Sequence, residues 1–177
     1  MPHRDAAPVI VGVTPGQADA VVVEAAVLAE RFEGELVCAT VDTGYYMVTE
    51  FDDGSVTASP VDPDNPEIVT LTVDPALLAH LTRLLDGRGV RWSTRALAGD
   101  PARALDRLAD TLDAGLIVVG TRHAGWRGSL HEFFSGSVGV NLAHRQHRPV
   151  VIIPLAPVPF GATHDLSGPA RPATPGD

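Results

Sequence analysis

The stretch VVGTRHAGWRGSLHEFFSGSVG, Val118 to Gly139, decides how this chain is read. The apolar run Leu116 to Val119 stops at Gly120. A short run of this kind, ended by glycine, is the pattern of a strand buried on both faces. Arg122, Gly125, Arg127 and Gly128 follow, and Gly136-Ser137 then opens a new helical pattern. The residues suit a phosphate cradle, because glycines let backbone approach an anion and a helix start presents free N–H donors. They equally suit a strand-to-helix turn in which the serine caps the helix. Neither a Walker-type Gly-Lys-Ser/Thr nor a dinucleotide glycine fingerprint after the first strand is present. The position carries its own information. In a parallel α/β sheet, ligands bind beyond the carboxyl ends of the strands, where the strand order reverses.

Outward from this stretch, the chain alternates strands and helices. APVIVGV (Ala7 to Val13) is a buried strand, TPGQ a turn, and Gln17 to Phe32 a helix closed by Gly34. ELVCATVD (Glu35 to Asp42) is the second strand. Between Thr43 and Val73, YYMVTEF and VTASPV flank Asp53-Gly54, a hairpin-turn signal, and VDPDNPE reads as an exposed loop. Asp74-Pro75 supplies a cap and an N1 proline for a helix to about Asp86. Val90 to Leu97 is the third strand, and Asp100-Pro101 repeats the helix start. Leu105, Leu108, Ala109 and Leu112 make the apolar stripe of that third helix. LIVVG is the fourth strand, a helix spans about Gly136 to His147, and Pro149 to Pro154 is the fifth strand. Alternation of this kind predicts an α/β domain with a parallel sheet covered on both faces. The domain spans 8–155, with 43–73 as an inserted β-hairpin and loop, a flexible 1–7 and a disordered Pro/Gly-rich tail over 156–177.

Composition narrows the classes. The chain has 177 residues, enough for one domain with a proper core. Its net charge is −9, all basic side chains other than histidine are arginine, and no basic stripe is visible, which argues against nucleic acid as a partner. One cysteine, Cys38, excludes an intrachain disulfide and suits a reducing cytoplasm. No apolar run approaches the ~20 residues of a membrane span. The expected protein is cytoplasmic and makes no membrane contact.

Most isolated chemical candidates have plain explanations. His144 and His147 stand at metal-ligand spacing, but a favourable dipole interaction at a helix C-terminus explains them better. Cys38 falls inside a strand and reads as packing. Asp74 and Asp100 read as caps, and no nucleophile–base constellation stands out. No catalytic or metal-binding residue is assigned. Arg122 and Arg127 suit a polyphosphate or simple solvation, and Trp126 a base-stacking lid or a surface anchor. PVVIIP would leave a sticky edge unless it pairs with its copy across a two-fold axis or is covered by the hairpin or tail.

VIVGV, GDPARAL, LIVVGTR with its glycine loop and GSV, and LAH followed by HRPVVIIP together make the chain resemble the universal stress proteins over roughly Pro8 to Pro154. The resemblance implies five parallel strands in the order 3-2-1-4-5 and a homodimer joined through the Pro149–Pro154 strand. In one branch of that family it implies ATP held between the loops after strands one and four, and a second branch binds none. The ATP-binding pattern is Gly-x2-Gly-x9-Gly-Ser/Thr. Gly120 and Gly136-Ser137 match its ends, His123 occupies its second glycine position, and the span is three residues longer. Gly125 or Gly128 then stands in for the second glycine. Carried onto this chain, the resemblance puts Gly120, Arg122, Gly125, Gly128, Gly136, Ser137 and Val138 around phosphates. It puts Thr14, where an aspartate is usual, near the ribose, and the main chain at Thr40 or Val41 beside adenine. The function it implies is a stress-response module that binds an adenine nucleotide, ATP above all, and signals by conformation or partner. The alternatives are a nucleotide-free dimeric interaction protein with an occluded site, and a slow nucleotide hydrolase.

Overall fold

The computed structural model describes residues 6–62, 64, 67–121, 138–145 and 147–154. In chain order the elements are β1 (Val9–Gly12), α1 (Asp19–Arg31), β2 (Leu36–Asp42), β3 (Tyr45–Glu50), β4 (Val56–Pro60) and β5 (Val69–Thr70). Then come α2 (Pro75–Leu85), β6 (Trp92–Ala98), α3 (Pro101–Thr111), β7 (Leu116–Gly120), α4 (Val138–Arg145) and β8 (Val150–Ile153). Five strands form one parallel sheet in the order β6-β2-β1-β7-β8. Counted among the parallel strands alone, that order is 3-2-1-4-5, as expected.

The central strands are apolar at successive positions because both faces are covered. Val9 and Val11 face α1 and α2, in one buried cluster with Val21, Ala25 and Leu81. Ile10 faces the other way, in a second cluster with Leu105, Leu108 and Leu142 of α3 and α4. Alanines Ala25, Ala26 and Ala29 on the inner side of α1 are buried and let that helix lie close to the sheet. The Asp-Pro signals act as read. Asp74 accepts hydrogen bonds from the Ala76 and Leu77 amides, and Asp100 from that of Arg103.

The ends of α1 differ from the sequence reading. It begins at Asp19 because Gln17 is used in the preceding turn, where its Oε1 accepts from the Thr14 amide at 2.9 Å. It ends in a left-handed residue, but that residue is Glu33 (φ 55°) and not Gly34. Gly34 is needed for space instead: a Cβ there would stand 2.5 Å from the Ala7 carbonyl oxygen.

The insertion is a hairpin extended by a third, two-residue strand, β5, in the order β3-β4-β5. It packs on α3 and β6. At its tip Gly54 (φ 78°) is buried, and a Cβ on it would lie 2.4 Å from Leu108 Cδ1. Arg95 of β6 donates to the Asp53 carbonyl at 2.6 Å, and Thr111 of α3 donates to Glu50 at 2.7 Å. On the opposite side of α3, Arg148 donates to the Ala114 carbonyl at 2.8 Å and to Asp110. The expected disordered tail, 156–177, lies outside the described residues. No described helix is long and apolar enough to cross a membrane.

Candidate functional site

At the C-terminal edge of the parallel sheet, β1 and β7 lie side by side, and the next described helices after them, α1 and α4, pack on opposite faces. The strand order reverses between these neighbours, and a crevice opens there. It forms a cavity of about 280 Å3, near the lower end of the usual range for small-molecule sites.

Each wall has a structural origin. The centre is the turn Val13–Gln17 after β1. One side is formed by Ala39 and Val41 near the end of β2 with Pro101 and Leu105 of α3. The other is formed by Val119, Gly120 and Thr121 at the end of β7 with Val138, the first residue of α4. Gly12 lets α3 come this close: a Cβ on it would meet Leu105 Cδ1 at 3.3 Å. The turn is held by Gln17. Besides the Thr14 amide, its Oε1 lies 3.5 Å from the Thr14 hydroxyl, and its Nε2 lies 3.5 Å from the Gly12 carbonyl.

None of the described lining residues is charged. Asp42 and Asp100 adjoin lining residues in sequence, but their carboxylates are turned to the amides of Gly44 and Arg103. The turn also walls a second hollow on the other face of the sheet, lined by Asp19, Asp74, His80 and Leu77 among others. There His80 Nε2 and Asp19 Oδ1 are 2.7 Å apart and tie α2 to α1.

Of the expected site residues, Thr14, Val41, Gly120 and Val138 line one cavity. Arg122, Gly125, Gly128, Gly136 and Ser137 lie outside the described residues. Sequence reasoning missed Gln17, Pro101 and Leu105 as part of this wall. Gln17 had a signal: a polar residue placed to close the turn after a strand. Leu105 looked like ordinary core. Cys38 is buried under α1 and α2, and burial pushes its thiol up to about 12, so it takes no part in chemistry at neutral pH. Among the described residues, no group of three or more His, Cys, Asp or Glu side chains could hold a metal ion.

An open parallel sheet with helices on both faces and a crevice at its switch point defines a doubly wound α/β protein. The chain belongs to the universal stress protein family, whose model matches residues 7–154. No curated protein sequence matches it. Among solved structures, the chain is similar to a universal stress protein in complex with cAMP, with 24% identity and a TM-score of 0.58 over 86% of this chain and 99% of that one. It is similar to the Archaeoglobus fulgidus universal stress protein in complex with dAMP, with 18% identity and a TM-score of 0.53 over 84% and 98%. A family protein of Arabidopsis thaliana with AMP bound has 14% identity and a TM-score of 0.50 over 84% and 90%.

Proposed function

We propose that the protein is a homodimeric, cytoplasmic stress-response module that binds an adenine nucleotide, ATP above all, and acts through conformation or a partner instead of catalysis. The observation that carries the reading is the cavity at the switch point, walled by Thr14, Val41, Gly120 and Val138 among others. Adenine nucleotides in three similar structures support the same ligand class. The strand order gives the ligand a direction. Ala39, Val41, Pro101 and Leu105 make an apolar slot suited to a flat base. Gly120 and the start of α4 lie across β1, where glycine backbone and the helix dipole favour phosphate. A nucleotide spanning from β2 to β7 carries its sugar over the end of β1, at Thr14. The lone thiol supports a reducing compartment. The dimer reading rests on β8, an edge strand whose Ile152 is 44% exposed.

The test begins with purified protein, denatured and chromatographed for released nucleotide, followed by titration with ATP and AMP. A bound nucleotide, or a melting temperature that rises with ligand, supports the reading. Val41→Tyr, which fills the base slot, removes the rise. No released nucleotide and no rise with either ligand overturns it. Sedimentation separates the dimer question: wild type is expected as a dimer and Ile152→Asp as a monomer, and a monomeric wild type at high concentration refutes the homodimer.

A further inference from the structure

The inserted hairpin has two unlike faces. Its inner face is committed to the domain: Met47, Val56 and Leu71 join the buried cluster of α3 and α4. Side chains alternate along a strand, so the neighbours of these residues point outward. β4 pairs Ser59 with Tyr46 of β3, and the register that sets Ala58 beside Val69 brings Ile68 to the other side of Ser59. Tyr46 and Ile68 are 54% and 60% exposed, with small, buried Ser59 between them. Val48, Phe51 and Val61 of the same insertion are exposed as well. Of the eight most exposed large apolar side chains among the described residues, five therefore lie between Thr43 and Val73. Such side chains scattered singly carry no message, whereas a cluster of them marks an interaction surface.

Charge selects the occupant. Between Thr43 and Val73 the chain has six acidic side chains and no lysine, arginine or histidine. Glu50 has Arg107 3.9 Å away, and Asp53 accepts from Ser55 while its carbonyl accepts from Arg95. Asp52, Asp62, Asp64 and Glu67 are exposed and have no ion-pair partner among the described residues. Three of them adjoin the apolar surface in sequence, as Phe51-Asp52, Val61-Asp62 and Glu67-Ile68. A second copy laid on this face would bring like charge to like, and an anionic membrane would be repelled. The 155–177 segment offers Arg171 against Asp165 and Asp177. The bulge at Val48 breaks the β3 edge against strand addition, which leaves the face as the docking surface. We infer that the outer face of the hairpin docks a basic protein segment that carries apolar side chains between its lysines or arginines. The apolar groups cover Tyr46 and Ile68, and the cations meet Asp62, Asp64 and Glu67. The inference stands apart from the nucleotide reading, because no described residue of the insertion lines the cavity.

Fluorescence anisotropy of a short labelled peptide of alternating lysine and leucine, titrated with the full chain, reads the docking. Lysine–serine and glutamate–leucine peptides of the same design control for charge alone and apolar surface alone. The lysine–leucine peptide is expected to bind at least about tenfold tighter than either, and less tightly as salt rises. Tyr46→Thr with Ile68→Thr keeps β-forming residues at both positions and removes apolar surface, so affinity should fall about tenfold. Asp64→Asn with Glu67→Gln leaves every apolar group in place and should weaken binding about fivefold. Glu24→Gln with Glu30→Gln removes the same charge from exposed positions on α1 and should change affinity less than about twofold. Equal loss from the α1 pair and the acidic insertion pair means attraction by net charge alone and overturns the inference. Binding that both insertion pairs leave unchanged overturns it, and so does no binding at all. If Tyr46→Thr with Ile68→Thr instead turns a dimer into a monomer in sedimentation, the face belongs to a second copy. If Phe160→Ser raises the affinity for the peptide about tenfold, the 155–177 segment holds the face. Either result overturns the basic partner too.

Discussion

Replacing Gly54 with alanine tests how the inserted hairpin is joined to the domain. Two costs apply. The backbone at Gly54 is left-handed, φ 78°, and an L-residue there pays about 1–2 kcal/mol. The new methyl carbon would also lie 2.4 Å from Leu108 Cδ1, more than 1 Å inside the roughly 3.5–4.0 Å of a carbon contact. Leu108 has no exposed surface and sits between Ala104 and Leu112 of the α3 stripe, so it cannot swing into solvent. Overpacking of this kind costs about 1–3 kcal/mol. Restricting the unfolded chain returns less than about 1 kcal/mol. The net loss is about 2–4 kcal/mol. Gly87→Ala separates the two costs, because Gly87 has φ 79° and nothing within 4 Å of an added Cβ. It should lose only the backbone cost, about 1 kcal/mol. Equilibrium urea unfolding, followed by circular dichroism, reads both as midpoint shifts at unchanged slope. If Gly54→Ala loses no more than Gly87→Ala, the hairpin tip does not press on α3 as described, and the account of the insertion fails.

Three further outcomes follow from side chains already placed. Arg148 is 10% exposed at its side chain and holds the Ala114 carbonyl and Asp110. Arg148→Met should cost about 2 kcal/mol in urea unfolding, the worth of a charge-assisted bond whose carbonyl partner is left unpaired. Asp100→Ala removes the cap on the Arg103 amide and should cost about 1 kcal/mol, whereas Asp100→Asn should cost clearly less. Burial raises the Cys38 thiol from 9.0 to about 12. Its neutral form therefore favours the fold below pH 9, and that contribution is lost as pH rises from 9 towards 12. Native protein should leave a thiol reagent unreacted until denaturant is added, and Cys38→Ala should lose less stability than wild type on going to alkaline pH.

The framework was legible because each strand buried on both faces leaves a continuous apolar run, and because Asp-Pro marks a helix start by a local mechanism. VIVG, LVCATVD and LIVVG needed no tertiary information. The misses share a cause: they depend on what a residue meets from elsewhere in the chain. β5 has two residues and exists only because Thr57 and Ala58 lie beside it. Gly34 looked like a helix terminator, yet the left-handed turn falls on Glu33 and the glycine is required by the Ala7 carbonyl. Gln17 looked like the first residue of α1, and its amide instead fastens the turn before it. Of the site, the residues at strand ends were readable, since the sheet's switch point follows from topology. The wall supplied by α3 was not, because Leu105 carries the same apolar signal whether it faces core or cavity.

That wall links the insertion to the cavity. Leu105 borders the cavity, and Leu108, one turn further along the same helix, borders the hairpin tip. α3 is thus fixed at its C-terminal half from two sides, by the Gly54 tip with the Glu50–Thr111 bond and by Arg148 at Asp110 and Ala114. Its N-terminal half is packed in the same core, and Pro101 and Leu105 there form the cavity wall across from Val119 and Gly120. The hairpin adds no lining residue to the cavity among those described, but it packs on the helix that does, because Leu108 beside the Gly54 tip lies one turn from Leu105 beside Gly12.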